Sequence, residues 1–170
     1  MSLSAQAASQ VRDQLLKGFD SESKVTLKVL RAIPNDKLDF KPHVKSMSMG
    51  ELAWHTAQSE HMFIEGILKG SFGKDVHGEK PAQPRTVTEI ADIYEKQTAQ
   101  GIAALKELSG DALAKELNFY DFMIMPAIQF LNITMNHSIH HRGQLTVYLR
   151  LVDAKVPSTY GPSADDNPFA

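Results

Sequence analysis

The sequence predicts an all-α fold, a bundle of long helices within one domain over residues 1–170. Apolar residues recur at steps of three and four along four long segments, and capping signals precede two of them. Polar connectors rich in glycine and proline separate the segments. A chain of 170 residues can bury a substantial core without disulfides.

Composition and charge exclude several classes of function. A formal net charge of -2 indicates neither a basic surface for nucleic acid nor attraction to anionic lipid. No apolar run reaches the roughly 18 residues that a membrane span needs, and residues 1–10 lack the parts of a secretory signal. We therefore expect a cytoplasmic protein without nucleic-acid or membrane partners. Because cysteine is absent, a transition metal would need histidine or carboxylate ligands.

The first helix is indicated by apolar residues at helical spacing over 11–30 and should end before Pro34. Gly18 and Asp20 could interrupt it, since Asp20 could act as a new N-cap. The pattern therefore fits either one long helix or an extra N-terminal helical arm over 1–19 followed by the first bundle helix.

Capping boxes mark the beginnings of the next two helices. Each pairs a hydroxyl residue at the N-cap with a glutamate three positions later: Ser48 with Glu51, and Thr86 with Glu89. We expect the first of these helices to run to about Lys69, where Gly70 fits a C-terminal stop, and the second to close at Ser109. Residues 70–85 predict a crossover loop that is long enough to make neighbouring helices parallel.

Residues 111–125 predict a second connector, and Pro126 suits the first turn of a last helix that runs to about Val152. Four apolar residues of this connector are expected to cover one end of the bundle: Leu113, Leu117, Phe119 and Phe122. The tail over 153–170 contains several prolines and predicts irregular structure folded over the bundle, where Tyr160 is expected to serve as a packing anchor.

The last helix carries three histidines within five residues: His137, His140 and His141. Residues four apart share a helix face, so His137 and His141 project together within an apolar stripe. Burial of two imidazoles is costly unless their nitrogens find partners, and a divalent metal ion could satisfy both. His140 lies about 100 degrees round the helix from His141 and should not join the same centre.

An open catalytic metal site usually has three protein ligands and one remaining position. His55 is the best third candidate because it lies on or beside the buried face of its helix. A metal-free alternative is a structural pair in which His137 and His141 hydrogen-bond to Thr134 or Ser59. Spacing alone leaves both alternatives open.

The residues around these histidines suggest structural roles. We expect Glu60 and Glu65 to be solvated, and Arg142 to be solvated or hydrogen-bonded locally. Gly143 is costly inside a helix and is therefore expected to permit close helix packing. Trp54 is expected in the core or in an interface.

The run His137-Ser138-Ile139-His140-His141-Arg142-Gly143-Gln144 resembles the last-helix motif of the DinB (YfiT-like) family of metal-dependent enzymes. The segment Glu51-Leu52-Ala53-Trp54-His55 is similar to the family's second helix. Residues 33–42 and 157–162 are similar to its first connector and its tail. The resemblance covers most of the chain from about Asp20 onward.

This resemblance implies a four-helix bundle with up-down-down-up order, often a homodimer, with a divalent nickel or zinc ion on His55, His137 and His141. Related proteins are transferases or isomerases that use low-molecular-weight thiols, which implies a small-molecule substrate. Because this chain has no cysteine, the thiol would come from a cosubstrate. A metal-binding stress-response or ligand-binding module without turnover is the alternative function, and a metal-free bundle is a third.

Overall fold

Four long helices form the bundle in the computed structural model, which describes residues 3–73 and 81–169. They are α1 (Ala5–Arg31), α2 (Met49–Lys69), α3 (Val87–Glu107) and α5 (Ala127–Leu151). A short helix, α4 (Gly110–Ala114), and an antiparallel hairpin of β1 (Glu116–Phe119) and β2 (Met123–Pro126) join α3 to α5. The regular structure of the described part is therefore helical apart from one hairpin, which confirms the predicted fold class.

Helix α1 is continuous through Gly18, so the structure shows the first of the two alternatives. Residues of the expected 1–19 arm belong to this helix and take part in the core, where Leu16 and Phe19 are buried. Gly18 is exposed. Gly18 therefore destabilises α1 only through its low helix propensity, and the tertiary packing of the helix outweighs that destabilisation.

Both predicted capping boxes are present. The side chain of Ser48 accepts from the backbone N–H of Glu51, and Glu51 accepts in return from the backbone N–H of Ser48; Thr86 and Glu89 repeat the pattern. Gly70 ends α2 with a left-handed φ of 67°, as expected for a C-terminal glycine. Residues 74–80 of the predicted crossover loop lie outside the described residues.

Contacts between helix ends define two antiparallel pairs. Arg31, the last residue of α1, lies 2.7 Å from the carboxylate of Glu95 in the first half of α3. Arg12 in the first half of α1 donates to the carbonyl of Leu108 at the end of α3. The hydroxyl of Tyr148 near the end of α5 donates to the carbonyl of Met47, just before α2. Helix α1 is therefore antiparallel to α3, and α2 is antiparallel to α5.

Helices α1 and α5 are parallel, because positions further along one helix face positions further along the other. Gly18 lies beside Met135, and Glu22 pairs with Arg142. The four directions together give the up-down-down-up order. Helix α2 is consequently a neighbour of α5, and this arrangement brings His55 towards the histidines of the last helix.

The connector over 111–125 contains regular structure that the sequence pattern did not predict, namely α4 and the hairpin. The hairpin turn places Tyr120 and Asp121 at positive φ angles of 51° and 57°. Three of the four expected covering residues pack against the core, but Phe122 is 78% exposed, so that part of the prediction is wrong. Its position at the hairpin turn directs it away from the bundle.

A layer of polar side chains divides the core into two apolar clusters. One cluster includes Phe19, Ile64 and Phe130, and the other includes Leu30, Leu52 and Leu149. Between them lie buried polar residues from all four long helices: Thr26, Glu60, Thr98, Ser138 and Arg142. The last helix therefore carries its histidines at the level where the core is polar.

Over residues 153–169 the tail lacks helix and strand, as predicted, and ion pairs hold it to the bundle. Asp166 lies 2.6 Å from the ammonium of Lys28 on α1, and Asp165 lies 2.6 Å from the guanidinium of Arg150 on α5. Within residues 3–73 and 81–169, none of the helices combines the length and the apolar character needed to traverse a bilayer.

Candidate metal centre

His55, His137 and His141 come together between α2 and α5. One ring nitrogen from each can be chosen so that all three lie within 4.8 Å of one another. The ring centroids of His137 and His141 are 4.3 Å apart, and that of His55 lies 5.2 Å and 4.7 Å from them. The three side chains are half-buried. The structure therefore forms a cluster of three imidazoles that could hold a metal ion.

The spacing of the two α5 imidazoles fits a shared ion. Their Nε2 atoms are 3.2 Å apart, whereas two nitrogens bound tetrahedrally at zinc distances are separated by about 3.3–3.4 Å. The same distance fits a single N–H···N hydrogen bond, which is the metal-free pair. Thr134 was one of the hydrogen-bond partners expected for that pair. Its hydroxyl instead donates to the carbonyl of Phe130.

Gln144 orients His141. Its Oε1 lies 2.7 Å from Nδ1 of His141. A glutamine carbonyl oxygen only accepts, so this contact places the imidazole proton on Nδ1 and leaves Nε2 with a free lone pair. A polar partner on the outer nitrogen is the usual way in which proteins fix a metal-binding histidine. Ser59 lies 3.3 Å from Nδ1 of His55 and provides a similar contact.

The surroundings of His137 favour its neutral form. Burial lowers its pKa from 6.5 to about 4, and the neighbouring histidines act in the same direction. Burial also lowers the pKa of His141. Within the described residues, Nδ1 of His137 is buried without a hydrogen-bond partner. Neutral imidazoles are the form that binds metal ions, so the donor set suits a divalent cation at neutral pH.

Glu60 is buried, which corrects the expectation that it is solvated. It is 1% exposed, and three hydroxyl groups donate to its carboxylate: Tyr94 at 3.0 Å, Thr98 at 2.7 Å and Ser138 at 2.7 Å. Burial raises its pKa in spite of these bonds. Ser138 follows His137 directly, so Glu60 links the two helices that carry the histidines.

Arg142 is also buried, and the expectation of a solvated or local role is wrong. It is 2% exposed, and its guanidinium lies 2.7 Å from Glu22 on α1. The hydroxyl of Tyr160 accepts from Arg142 at 2.6 Å and donates to Glu22 at 2.8 Å. Tyr160 is 69% exposed, so it is not the packing anchor that was expected; it holds the tail through these polar contacts and through a cation–π contact of 5.1 Å.

The remaining sequence expectations have mixed outcomes. Trp54 is buried, as predicted, and Glu65 is partly exposed beside Lys69. Gly143 is exposed, and an added Cβ would meet nothing within 4 Å. The expected close packing at Gly143 is therefore wrong. His140 is exposed and lies outside the three-histidine group, as its position on the helix predicted.

The family model described as the DinB family matches residues 1–167. The chain belongs to the DinB family. Two Bacillus subtilis relatives, both named as uncharacterized proteins, are each 29% identical to it. YrdA aligns over 162 residues, 92% of each chain, and YjoA aligns over 140 residues, 81% of this chain and 88% of its own.

Solved DinB-like structures share the fold. A DinB-like protein from Bacillus cereus ATCC 10987 matches with a TM-score of 0.73 and 26% identity, over 94% of this chain and all of the other. The structure of YjoA from Bacillus subtilis matches with a TM-score of 0.69 and 25% identity, over 90% and 98%. This agreement extends the DinB assignment to the three-dimensional structure.

The sequence pattern placed Tyr94 and Thr98 in the core but gave neither them nor Gln144 a part in the DinB site. Gln144 lies three positions after His141, and the i,i+3 relation on a helix could have indicated their contact. Tyr94 and Thr98 gave no such signal, because their partner Glu60 is more than 30 residues away in the chain.

Proposed function

We propose that this DinB protein is a metal-dependent enzyme of the thiol-transferase or hydrolase type, with a divalent nickel or zinc ion on His55, His137 and His141. The observation that carries the proposal is the convergence of three half-buried imidazoles from two helices, with ligand nitrogens within 4.8 Å. Three histidines with one remaining position are the protein contribution typical of catalytic rather than structural zinc sites.

Each element of the site has a physical task in this proposal. Helix α5 presents two imidazoles on successive turns, and α2 supplies the third from across the interface. Gln144 holds the proton of His141 on Nδ1, away from the cluster. A bound divalent ion would lower the pKa of a thiol or water in its remaining position and so supply a nucleophile near neutral pH. A reacting thiol must come from a cosubstrate, because the chain has no cysteine.

The proposal is tested by metal analysis together with turnover. Purified protein should contain close to one nickel or zinc ion per chain, and His55→Ala should lose it. His61→Ala is the matched control, because His61 is a half-buried histidine on the same helix outside the cluster. The metal-loaded protein is then screened with small thiols against alkylating electrophiles and with activated esters. Equal turnover by His137→Ala and wild type would exclude the mechanism.

Metal analysis also separates the alternative functions. Stoichiometric metal without turnover of any thiol or ester would favour a binding module of the stress-response or ligand-binding type. Absence of metal after growth and purification with nickel or zinc would favour the metal-free bundle, in which His137 and His141 form a hydrogen-bonded pair.

A further inference from the structure

A cavity of about 550 Å³ opens beside His55, between the loop that precedes α2 and the residues that lead into α3. Its volume is typical of small-molecule sites, which span about 300–1,000 Å³. The lining residues used below are Lys41, Lys45, Met47, Glu51, Trp54 and His55. One imidazole of the histidine cluster therefore forms part of the cavity wall.

Among the described residues that line the cavity, the charged side chains leave one positive charge in excess. Lys41 and Lys45 are the cations, and Glu51 is the anion. Glu51 lies 3.2 Å from the ammonium of Lys41 and accepts from the backbone N–H of Ser48 at 2.6 Å. The hydrogen bond from Ser48 and the contact with Lys41 lower its pKa and keep it charged. Within the described part of the chain, no carboxylate pairs with Lys45.

The wall also offers apolar surface. Trp54 lines the cavity, and its Nε1 donates to the carbonyl of Pro81 at 3.3 Å, which orients the indole. Met47 lies nearby and is 43% exposed. The cavity thus combines an ammonium group, apolar surface and an imidazole of the histidine cluster.

We propose that this cavity binds a small organic monoanion, a carboxylate with a short apolar body, whose carboxylate meets Lys45 while its other end faces His55. A single uncompensated lysine suits one negative charge, whereas phosphate recognition commonly uses several donors or the fork of an arginine. The chain as a whole carries a net charge of -2. The excess ammonium group would therefore make this cavity attract anions more strongly than the rest of the surface does. The role of this anion as a reactant rests on the proposed function, but its binding does not.

Trp54 is the single tryptophan of the chain, so its fluorescence reports on this cavity. The test titrates metal-free full-length protein at pH 7.5 with three probes: 3-mercaptopropionate, its neutral amide 3-mercaptopropionamide, and butyrate. We expect saturable fluorescence changes with both carboxylates and an affinity for the amide that is lower by about tenfold or more, since charge-assisted hydrogen bonds are the stronger ones. Equal affinities for acid and amide, or no saturable change, would overturn the proposal.

Two lysine variants provide the residue-level test. Lys45→Gln should weaken the binding of 3-mercaptopropionate and butyrate by about tenfold without changing the binding of the amide. Lys96→Gln is the matched control, because Lys96 is an exposed lysine of α3 outside the cavity lining. An equal effect of both substitutions, or none from Lys45→Gln, would overturn the assignment.

Metal analysis of the protein as purified, and after reconstitution with nickel or zinc, keeps the two proposals separate. Carboxylate binding that depends on Lys45 in a protein that takes up neither ion would refute the proposed function and support the anion site. A protein that takes up stoichiometric metal, but whose metal-free form binds acid and amide equally, would refute the anion site alone.

Discussion

His137 shows at the scale of one residue how its surroundings select a protonation state. Burial and three neighbouring histidines lower its pKa to about 4. Between pH 6.5 and pH 4, the unfolded chain therefore binds more protons at this position than the folded chain does. The stability that His137 contributes is complete above pH 6.5 and is lost as the pH falls towards 4.

We expect metal-free wild-type protein to lose about 1–2 kcal/mol of unfolding free energy through this group between pH 7.5 and pH 4.5, because partial solvent access reduces the full effect of the pKa shift. Urea unfolding at several pH values measures the loss, and His137→Gln should show a shallower dependence. The same pH slope in both proteins would contradict this explanation.

Glu60 gives a second prediction at this scale. Glu60→Leu leaves three buried hydroxyl groups without their acceptor, at a cost of about 1–3 kcal/mol each before relaxation. Glu60→Gln retains an acceptor oxygen and should cost less. Chemical denaturation of both variants measures the difference, with the partly exposed Glu65→Gln as a control near zero. A Leu variant as stable as the Gln variant would show that the hydroxyls find other partners.

Sequence patterns indicate residues whose role depends on near neighbours and miss residues whose role depends on distant ones. His137 and His141 were recognised because their spacing alone places them on one face. Arg142 was misjudged because its partner Glu22 is 120 positions away in the chain. An arginine in a helix gives no local sign that a distant carboxylate will neutralise it in the core.

At the scale of elements, the helix starts were predictable from near neighbours in the sequence, whereas the hairpin was not. Capping boxes at Ser48 and Thr86 involve contacts within four residues, so the sequence predicted both helix starts. The hairpin turn uses Tyr120 and Asp121 at positive φ without a glycine. Its sequence therefore lacks the Asn-Gly or Asp-Gly signal by which such turns are recognised.

Substitution by alanine at two helix glycines should change the stability of the protein in opposite directions. A Cβ on Gly66 would overlap the ring of Phe72, which is buried, so Gly66→Ala should destabilise the protein by about 1–3 kcal/mol. A Cβ on Gly143 would meet nothing, so Gly143→Ala should stabilise it by about 0.5–1 kcal/mol. Thermal unfolding of the two variants tests this contrast. Destabilisation by Gly143→Ala would indicate a contact beyond the single chain.

At the scale of the whole molecule, an ion on the three histidines would tie α2 to α5 between the two apolar clusters. A ligand that binds only the folded state adds about 2.7 kcal/mol when its concentration is a hundred times its dissociation constant. Saturating zinc or nickel should therefore raise the Tm by about 5–10 °C. Differential scanning calorimetry should show this rise in wild type and His61→Ala but not in His55→Ala. A rise of equal size in His55→Ala would place the ion elsewhere.

The attachment of the tail has a practical consequence for biochemical work on this protein. Tyr160 contacts the buried guanidinium of Arg142, which immediately follows a histidine of the cluster. A preparation clipped by proteases after Pro157 would lose this contact and would leave Glu22 to balance the guanidinium. Intact mass should therefore be verified by mass spectrometry before batches are compared, because trimmed and full-length molecules would differ close to the histidines.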